Sequence, residues 1–421
     1  MNRTVIVGAG TAGVHAAMEL RHRGYAGGVL LVGEENHEPY DRPPLSKEFL
    51  KPVAEPDTLR LLPAQIARDR GIDLRLGLLV TDIRATAQEV VLSDGSIVGY
   101  DHLVLATGAR GRPLTVPGAD LPGVWGLRRL EEAEALRKAL DGADDVLIVG
   151  GGFIGLEVAA AVRARGTRVT VVEFLPRVMA RVLSPQMARY FTQAHRHRGV
   201  EILIGTGVTA VIAGPLGTAS AVVLSDGRTI PADVVVVGIG VQPVTELAER
   251  AGLHTTDGIV VDGRLRTSDP RIYAVGDCAR FDCVVSGRDL RLESIQNAVD
   301  QARFVAGQIA AGHRPQADGD AQGSSYAALP WFWSEQYDMK LQIAGVASAE
   351  AESVVRGDSA SGSFSVCRFQ GERLVAVESV NRAKDHLAAR KLLTADPARL
   401  RRVTRESVAN GETALRALLD V

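Results

Sequence analysis

The sequence predicts an α/β protein made of two doubly wound βαβ halves, followed by a smaller α+β region. Three observations predict it. The stretch Thr4 to Glu34 reads as strand, glycine turn, helix, strand and acid; the same pattern returns from Val146 to Glu173; and beyond about residue 360 the pattern changes to two strands and a closing helix.

In the first stretch, Val5, Ile6 and Val7 form a short apolar strand, and Gly8-x-Gly10-x-x-Gly13 follows it. A helix then runs to about Arg23, with Ala12, Ala16 and Leu20 at four-residue intervals on one face. Val29 to Val32 return as the second strand, which ends at Glu34. Such a turn needs its first glycine for the bend, its second for the approach of a pyrophosphate and its third for close helix packing. The pyrophosphate would sit on the unpaired N–H groups and positive dipole end of the helix, and Glu34 can accept from an adenosine ribose. The strand before, helix after and acid beyond are the context that lifts this fingerprint above a chance match.

The segment Pro39 to Lys47 is proline-rich, which excludes a helix until about Ser46, the expected cap of a short helix from Lys47. Residues 72 to 105 alternate short β-like runs with turns such as Asp94-Gly95, and end in Leu103-Val-Leu-Ala-Thr-Gly108. Pro113, Pro117 and Gly118 mark a boundary. The second copy, VLIVGGGFIGLEVAAAVRARGTRVTVVE, places Gly150, Gly152 and Gly155 at the same spacing, with Ile154, Val158 and Val162 on the helix face and Glu173 at the strand end. Two matched units in one chain predict two dinucleotide sites. A carboxylate at Glu173 accepts from a free 2′-hydroxyl and repels a 2′-phosphate, favouring NADH over NADPH, although Arg177 and Arg181 weigh against that preference.

The second unit closes on the buried run Val234 to Gly240, placed like Leu103 to Gly108. Arg271 to Cys278 is a strand that delivers Gly276 and Asp277, and an amphipathic helix covers Ser294 to Ala311. His313 to Ser325 is polar and glycine-containing, as a linker is. Beyond it, Phe364 to Phe369 and Arg373 to Val380 are strands around Gln370-Gly371, before a helix from about Lys384. The expected division is therefore 1–113 with 243–322, then 114–242, then 323–421.

At 421 residues the chain has room for two or three domains of about 150 residues each. Its 46% hydrophobic and 23% charged residues and net charge of −2 are ordinary for a soluble protein and give no support to general nucleic-acid binding. Three cysteines are too few for a disulfide scaffold and suit a reducing compartment, so the cytoplasm is expected. Val5 is read as part of a strand, so no signal peptide is expected. The apolar run Val146 to Val162 is interrupted by glycines and Glu157, so no membrane association is expected.

Over nearly its whole length the chain resembles the two-dinucleotide-fold flavoprotein reductases, through both fingerprints, Ala106-Thr107-Gly108 and Tyr273-Ala-Val-Gly-Asp277. Within them, Arg42-Pro-Pro-Leu-Ser-Lys47, Leu127-Arg128, Glu293-Ser-Ile-Gln-Asn297 and Pro330-Trp-Phe-Trp-Ser-Glu-Gln-Tyr337 resemble the ferredoxin reductases of haem monooxygenase and ring-hydroxylating dioxygenase systems. The resemblance implies FAD at Gly8, Gly10, Thr11, Ala12, Gly13, Glu34, Arg42, Lys47, Val80, Ala106, Thr107, Gly108, Arg128, Gly276, Asp277, Ile295 and Trp333. Asp277 would meet the flavin's ribityl and pyrophosphate region. Glu34 departs from the Asp common in that branch but keeps the carboxylate. NADH would be held by Gly150, Gly152, Phe153, Ile154, Gly155, Glu157, Glu173, Gly238 and Gly240. Lys47 and Glu157 would form an ion pair beside flavin N5, Phe153 would swing aside for nicotinamide, and Trp333, rather than its neighbour Trp331, would lie near the flavin and the partner-docking surface. Taken without the resemblance, Lys47 and Glu157 are an ordinary surface lysine and helix glutamate, and both tryptophans are ordinary core residues.

The implied chemistry explains two sites: NADH gives two electrons as a hydride, a [2Fe–2S] ferredoxin takes one, and flavin does both. Neither a protein nucleophile nor a metal is required. Ferredoxins are generally acidic, so Arg288, Arg291 and Arg303 are docking candidates, as well as ordinary solvated arginines. Cys278 and Cys283 have the spacing of a disulfide reductase's redox pair. In those enzymes, however, the pair follows the first βαβ unit, where this chain has Pro43 to Lys47, so reduced packing thiols are expected. His195 and His197 lie in a polar helical stretch, Gln193 to Arg198, without a metal-ligand pattern. Alternatives are a rubredoxin acceptor, an NADH-dependent flavoenzyme acting on a small molecule or oxygen, and a redox-sensing protein of the apoptosis-inducing-factor type.

Overall fold

The computed structural model describes residues 2–51, 53–312, 325–409 and 414–419. The expected linker, apart from Ser325, lies outside the described residues. The chain forms two compact units: Met1–Asp41, Leu59–Arg110 and Gln242–Pro330 in the first; Arg42–Thr58, Gly111–Val241 and Trp331–Val421 in the second.

The first unit is built on a five-stranded parallel sheet with Arg3–Val7 at its centre. Val5 pairs with Leu30 of Gly28–Val32 on one side and with Leu103 of His102–Leu105 on the other; Ile72–Arg75 and Ile272–Ala274 are the outer strands. Apolar residues run without alternation along the central strands because both faces are covered, as in parallel sheets generally. The helices Thr11–His22 and Ile295–Ala311 pack against each other, their alanine-rich faces permitting a close approach. Ser294 caps the second of these, accepting from the Asn297 N–H at 3.1 Å. A three-stranded antiparallel sheet (Val80–Arg84, Glu89–Leu92, Ile97–Gly99) and a four-stranded sheet from residues 255 to 291 complete the unit.

The second unit repeats the parallel arrangement: Asp145–Val149 lies between Arg168–Glu173 and Val234–Val237, with Val200–Ile204 and Val124–Trp125 at the edges. It also holds a five-stranded antiparallel sheet, in which Trp331–Gln336 pairs with Met339–Gly345 and Ser363–Gln370 with Arg373–Val380. The helix expected from Lys384 begins one residue earlier, spanning Ala383–Leu393.

Two local expectations are corrected. Pro43–Ser46 is itself a 3₁₀ turn, because proline's fixed φ and missing N–H suit the first positions of a helical turn; Ser46 ends that turn instead of capping a later helix. Of the stretch Gln193 to Arg198, residues 193–197 are the last part of the longer amphipathic helix Pro185–His197, Arg198 is its C-cap, and His195 is on its buried face.

Ser184 caps that helix, donating from its N–H and Oγ to the Glu378 carboxylate, which also accepts from Arg368 Nη1 at 2.9 Å. Both charged groups are buried, and burial pushes the Glu378 carboxyl above the usual range while Ser184 and Arg368 oppose the shift. Arg368→Met should leave an uncompensated buried charge and cost about 3–5 kcal/mol. A urea unfolding midpoint monitored by far-UV circular dichroism checks this; an unchanged midpoint contradicts it.

Candidate functional site

In the first unit the strand Arg3–Val7 runs into a turn that only glycine tolerates. Gly8 has φ +107°, and a Cβ there would lie 2.2 Å from the Ala106 carbonyl oxygen; a Cβ on Gly13 would lie 1.8 Å from the Gly8 oxygen. These approaches lock helix Thr11–His22 onto the strand ends. Gly10, its N-cap, provides no side-chain cap, the first turn holds no acid, and a Cβ at Gly10 would meet nothing within 4 Å. An open helix N-terminus with donors unsatisfied by side chains fits a dinucleotide pyrophosphate.

Of the other predicted residues, Ala106 and Gly276 approach this turn and its helix most directly. Thr107 Oγ1 donates to the Val244 carbonyl at 2.7 Å, tying the Ala106–Gly108 connection in place. Gly276, at φ +78°, is so near the helix that its Cβ would lie 3.1 Å from that of Ala12, which sets Asp277 beside the fingerprint helix. Gln301 holds this loop, its Oε1 accepting from the Gly276 N–H at 2.7 Å. Sequence reasoning missed Gln301; the available signal is a polar side chain among the alanines and valine on the buried face of an amphipathic helix. Val80 is buried at a strand start, Ile295 opens the capped helix, and Glu34 is exposed two residues past its strand.

The second unit repeats the turn at Gly150 and Gly155, with Gly152 again an N-cap without a side-chain bond; a Cβ on Gly150 would lie 2.4 Å from the Gly238 oxygen. Here the acid is built in: Glu173 accepts from the N–H groups of Gly151 at 2.6 Å and Leu175 at 2.8 Å, which aims the carboxylate at the turn. Arg181 lies beside exposed Gly240. Ile154 is exposed at the helix start, and the Phe153 ring packs 4.5 Å from Phe332. Trp333 and Trp331 stack with centroids 5.4 Å apart, and Arg390 lies over Trp331. Arg42 Nη1 donates to the Arg128 carbonyl at 2.6 Å, joining two predicted residues.

Lys47 and Glu157 form the expected ion pair, 3.0 Å apart, with side chains 12% and 3% exposed. Glu157 also accepts from Ser46 Oγ and Ser334 Oγ, both at 2.6 Å. Ser334 accepts from Gln336 Nε2 at 3.2 Å, and Gln336 Oε1 meets His195 Nε2 at 2.9 Å. None of these four polar partners was anticipated, because residues so far apart in sequence share no periodic signal.

The docking candidates separate. Arg288 and Arg303 are exposed. Arg291 is not: its side chain is 8% exposed, paired with Asp257 and Glu293, and donates to the Asp277 carbonyl at 3.1 Å, so its charge is consumed within the unit. Cys278 and Cys283 are free and buried, and burial pushes the Cys278 thiol up, consistent with packing thiols. Among the described residues, no helix is long and apolar enough to cross a membrane.

Residues 2–302 match the family model described as pyridine nucleotide-disulphide oxidoreductase. The chain belongs to that family. Residues 331–419 match the reductase C-terminal family. The chain is 48% identical to rhodocoxin reductase of Rhodococcus erythropolis over 93% of its own length and 89% of the relative's. It resembles the solved ferredoxin reductase for the CYP199A2 system of Rhodopseudomonas palustris with a TM-score of 0.92 and 44% identity, each chain covered to 99%. The reductase in the covalent putidaredoxin reductase–putidaredoxin complex matches with a TM-score of 0.93 and 37% identity, over 100% of this chain and 98% of that one. The chain is thus an oxidoreductase of the ferredoxin-reductase branch, in a family whose cofactors are FAD and a pyridine nucleotide.

Two outcomes follow from the site's geometry. Ala12→Glu places a carboxylate at the helix N-terminus, where it would repel a pyrophosphate, and should abolish FAD retention, read as the flavin-to-protein absorbance ratio; a variant purified with full flavin contradicts the assignment. His195 is held down to about 4 from its ordinary 6.5 by burial, with Arg198 adding to the effect and Gln336 opposing it. Because the unfolded chain takes up this proton first, stability is unaffected above pH 6.5 and falls between pH 6.5 and 4, by roughly 3 kcal/mol. Urea midpoints across that range should drop less steeply for His195→Gln; an identical slope contradicts this.

Proposed function

We propose that this enzyme carries electrons from NADH, through FAD, to a [2Fe–2S] ferredoxin that serves a haem monooxygenase or ring-hydroxylating dioxygenase, in the cytoplasm. The observation that carries the reading is the pair of glycine-lined helix N-termini, one in each unit, with Glu173 ending the strand that follows one and Glu34 two residues past the strand that follows the other. The first would hold the adenosine diphosphate of FAD, with Glu34 at its ribose and Asp277 at the ribityl and pyrophosphate region. The second would hold NADH, with Glu173 presented to the ribose. Bound FAD would supply the conversion of a two-electron donor into single electrons.

The chain's own residues would orient and screen. Lys47, fixed by Glu157, would lie at flavin N5, where a positive charge stabilises a reduced, anionic ring. Phe153 would cover the nicotinamide position until NADH enters, its ring turning from Phe332. Trp333, stacked on Trp331, would lie on a partner-docking surface of the second unit, and exposed Arg303 and Arg288 of the first unit would each be a candidate contact for an acidic partner. In functional terms, residues 1–113 with 243–322 would be the FAD domain, 114–242 the NADH domain and 323–421 the C-terminal α+β domain. The redox role of a disulfide has no support here, since both candidate thiols are buried and unpaired.

The test is NADH-driven cytochrome c reduction with and without [2Fe–2S] ferredoxins from the same host, with a rubredoxin arm. Added ferredoxin should raise the rate several-fold. An unchanged rate over the ferredoxin panel contradicts the proposal, and fast oxygen- or peroxide-dependent NADH loss would favour a flavoenzyme acting on a small molecule.

A further inference from the structure

The buried contacts around Glu157 form a continuous line whose hydrogens can be placed by elimination. Glu157, ion-paired with Lys47, is acceptor-only. Ser334, 2.6 Å from Glu157 Oε1, must therefore spend its single hydroxyl hydrogen on the carboxylate. It can then only accept from Gln336, which requires the amide nitrogen of Gln336 to face Ser334 and its oxygen to face His195. The His195 nitrogen at 2.9 Å must in turn carry its proton on Nε2, which leaves Nδ1 bare; among the described residues Nδ1 has no partner. Ser334, Gln336 and His195 are all buried, so water does not scramble this order.

We propose that Ser334, Gln336 and His195 are a one-way chain of positioning residues, every donor pointing toward Glu157, that fixes this carboxylate and thereby the ammonium of Lys47. Each bond polarises the next, so the chain draws negative charge away from the Glu157 oxygens into the strand Trp331–Gln336 and the helix Pro185–His197. Ser46 and Lys47 hold the other oxygen, leaving Glu157 with partners on both sides and one orientation. The inference rests on the proposal that Lys47 lies at the flavin. If the chain is broken, Glu157 keeps more of its charge and pulls Lys47 inward, so a bound flavin should become harder to reduce.

The test compares the flavin-loaded wild type with Gln336→Met, which keeps the side-chain length without a donor, and with Lys47→Met. Flavin midpoint potentials are measured against a reference dye, with flavin content and circular dichroism confirming the fold. Both variants should move in the negative direction, Gln336→Met by less, at about threefold or more in the reduced-to-oxidised ratio at fixed poise, a fraction of one charge-assisted hydrogen bond. A shift with Lys47→Met but none with Gln336→Met overturns the chain and leaves the lysine assignment standing. No shift with Lys47→Met overturns that assignment and the chain's role with it. Selective ¹⁵N-histidine spectra give a readout independent of the flavin and suited to Ser334→Ala if Gln336→Met fails to fold. His195 should be the Nε2-protonated tautomer in the wild type and lose that lock in Ser334→Ala, whereas an Nδ1-protonated wild type overturns the chain.

Discussion

The architecture depends on two places where a helix must start almost in contact with a strand end. At Gly8 and Gly13, and again at Gly150 and Gly155, backbone atoms come closer than any side chain permits, with a Cβ on Gly13 or Gly155 falling 2.0 Å or less from a carbonyl oxygen. That closeness leaves the first helical turn open, with its N–H groups unspent and the positive end of the helix facing outward. The parallel sheets, the long apolar strands and the paired alanine-rich helices are arrangements that hold these two turns rigid. Gln301 extends the same rigidity to the Gly276 loop, which comes from far along the chain.

A second constraint is the buried carboxylate of Glu157. An ion in a water-poor interior is tolerated only when its lone pairs are satisfied, and this one draws on Ser46, Lys47 and Ser334. The consequence is directional: an acceptor-only group dictates which way each hydroxyl, amide and imidazole beyond it points. The ammonium of Lys47 is thereby fixed in position. The fixing comes from the interior of the second unit, and it accounts for the two buried polar residues, Ser334 and Gln336, on one face of strand Trp331–Gln336.

The fold was legible where the physics is local. The glycine turns, the strand registers of Val5 and Val146, the capped helix after Ser294 and the hairpin, whose turn falls at Gly371-Glu372, one residue beyond the expected Gln370-Gly371, all leave marks within a few residues of one another. Lys47, Glu157 and Asp277 were reachable by resemblance to a known motif. What stayed hidden was nonlocal or depended on competition. Ser334 meets Glu157 across 177 residues. Arg291 read as a free cation because nothing in its neighbourhood announces that Asp257 and Glu293 will consume its charge. Ser46 read as a cap because prolines were weighed as helix breakers, whereas at the first position of a 3₁₀ turn they start one.

The central claim is that the two helix N-termini serve different dinucleotides and can be disabled separately. The most direct measurement is the flavin content and NADH dissociation constant of Gly152→Glu. The account predicts a protein that purifies with full FAD and has lost NADH binding. A variant that loses FAD, or that binds NADH as the wild type does, would contradict it.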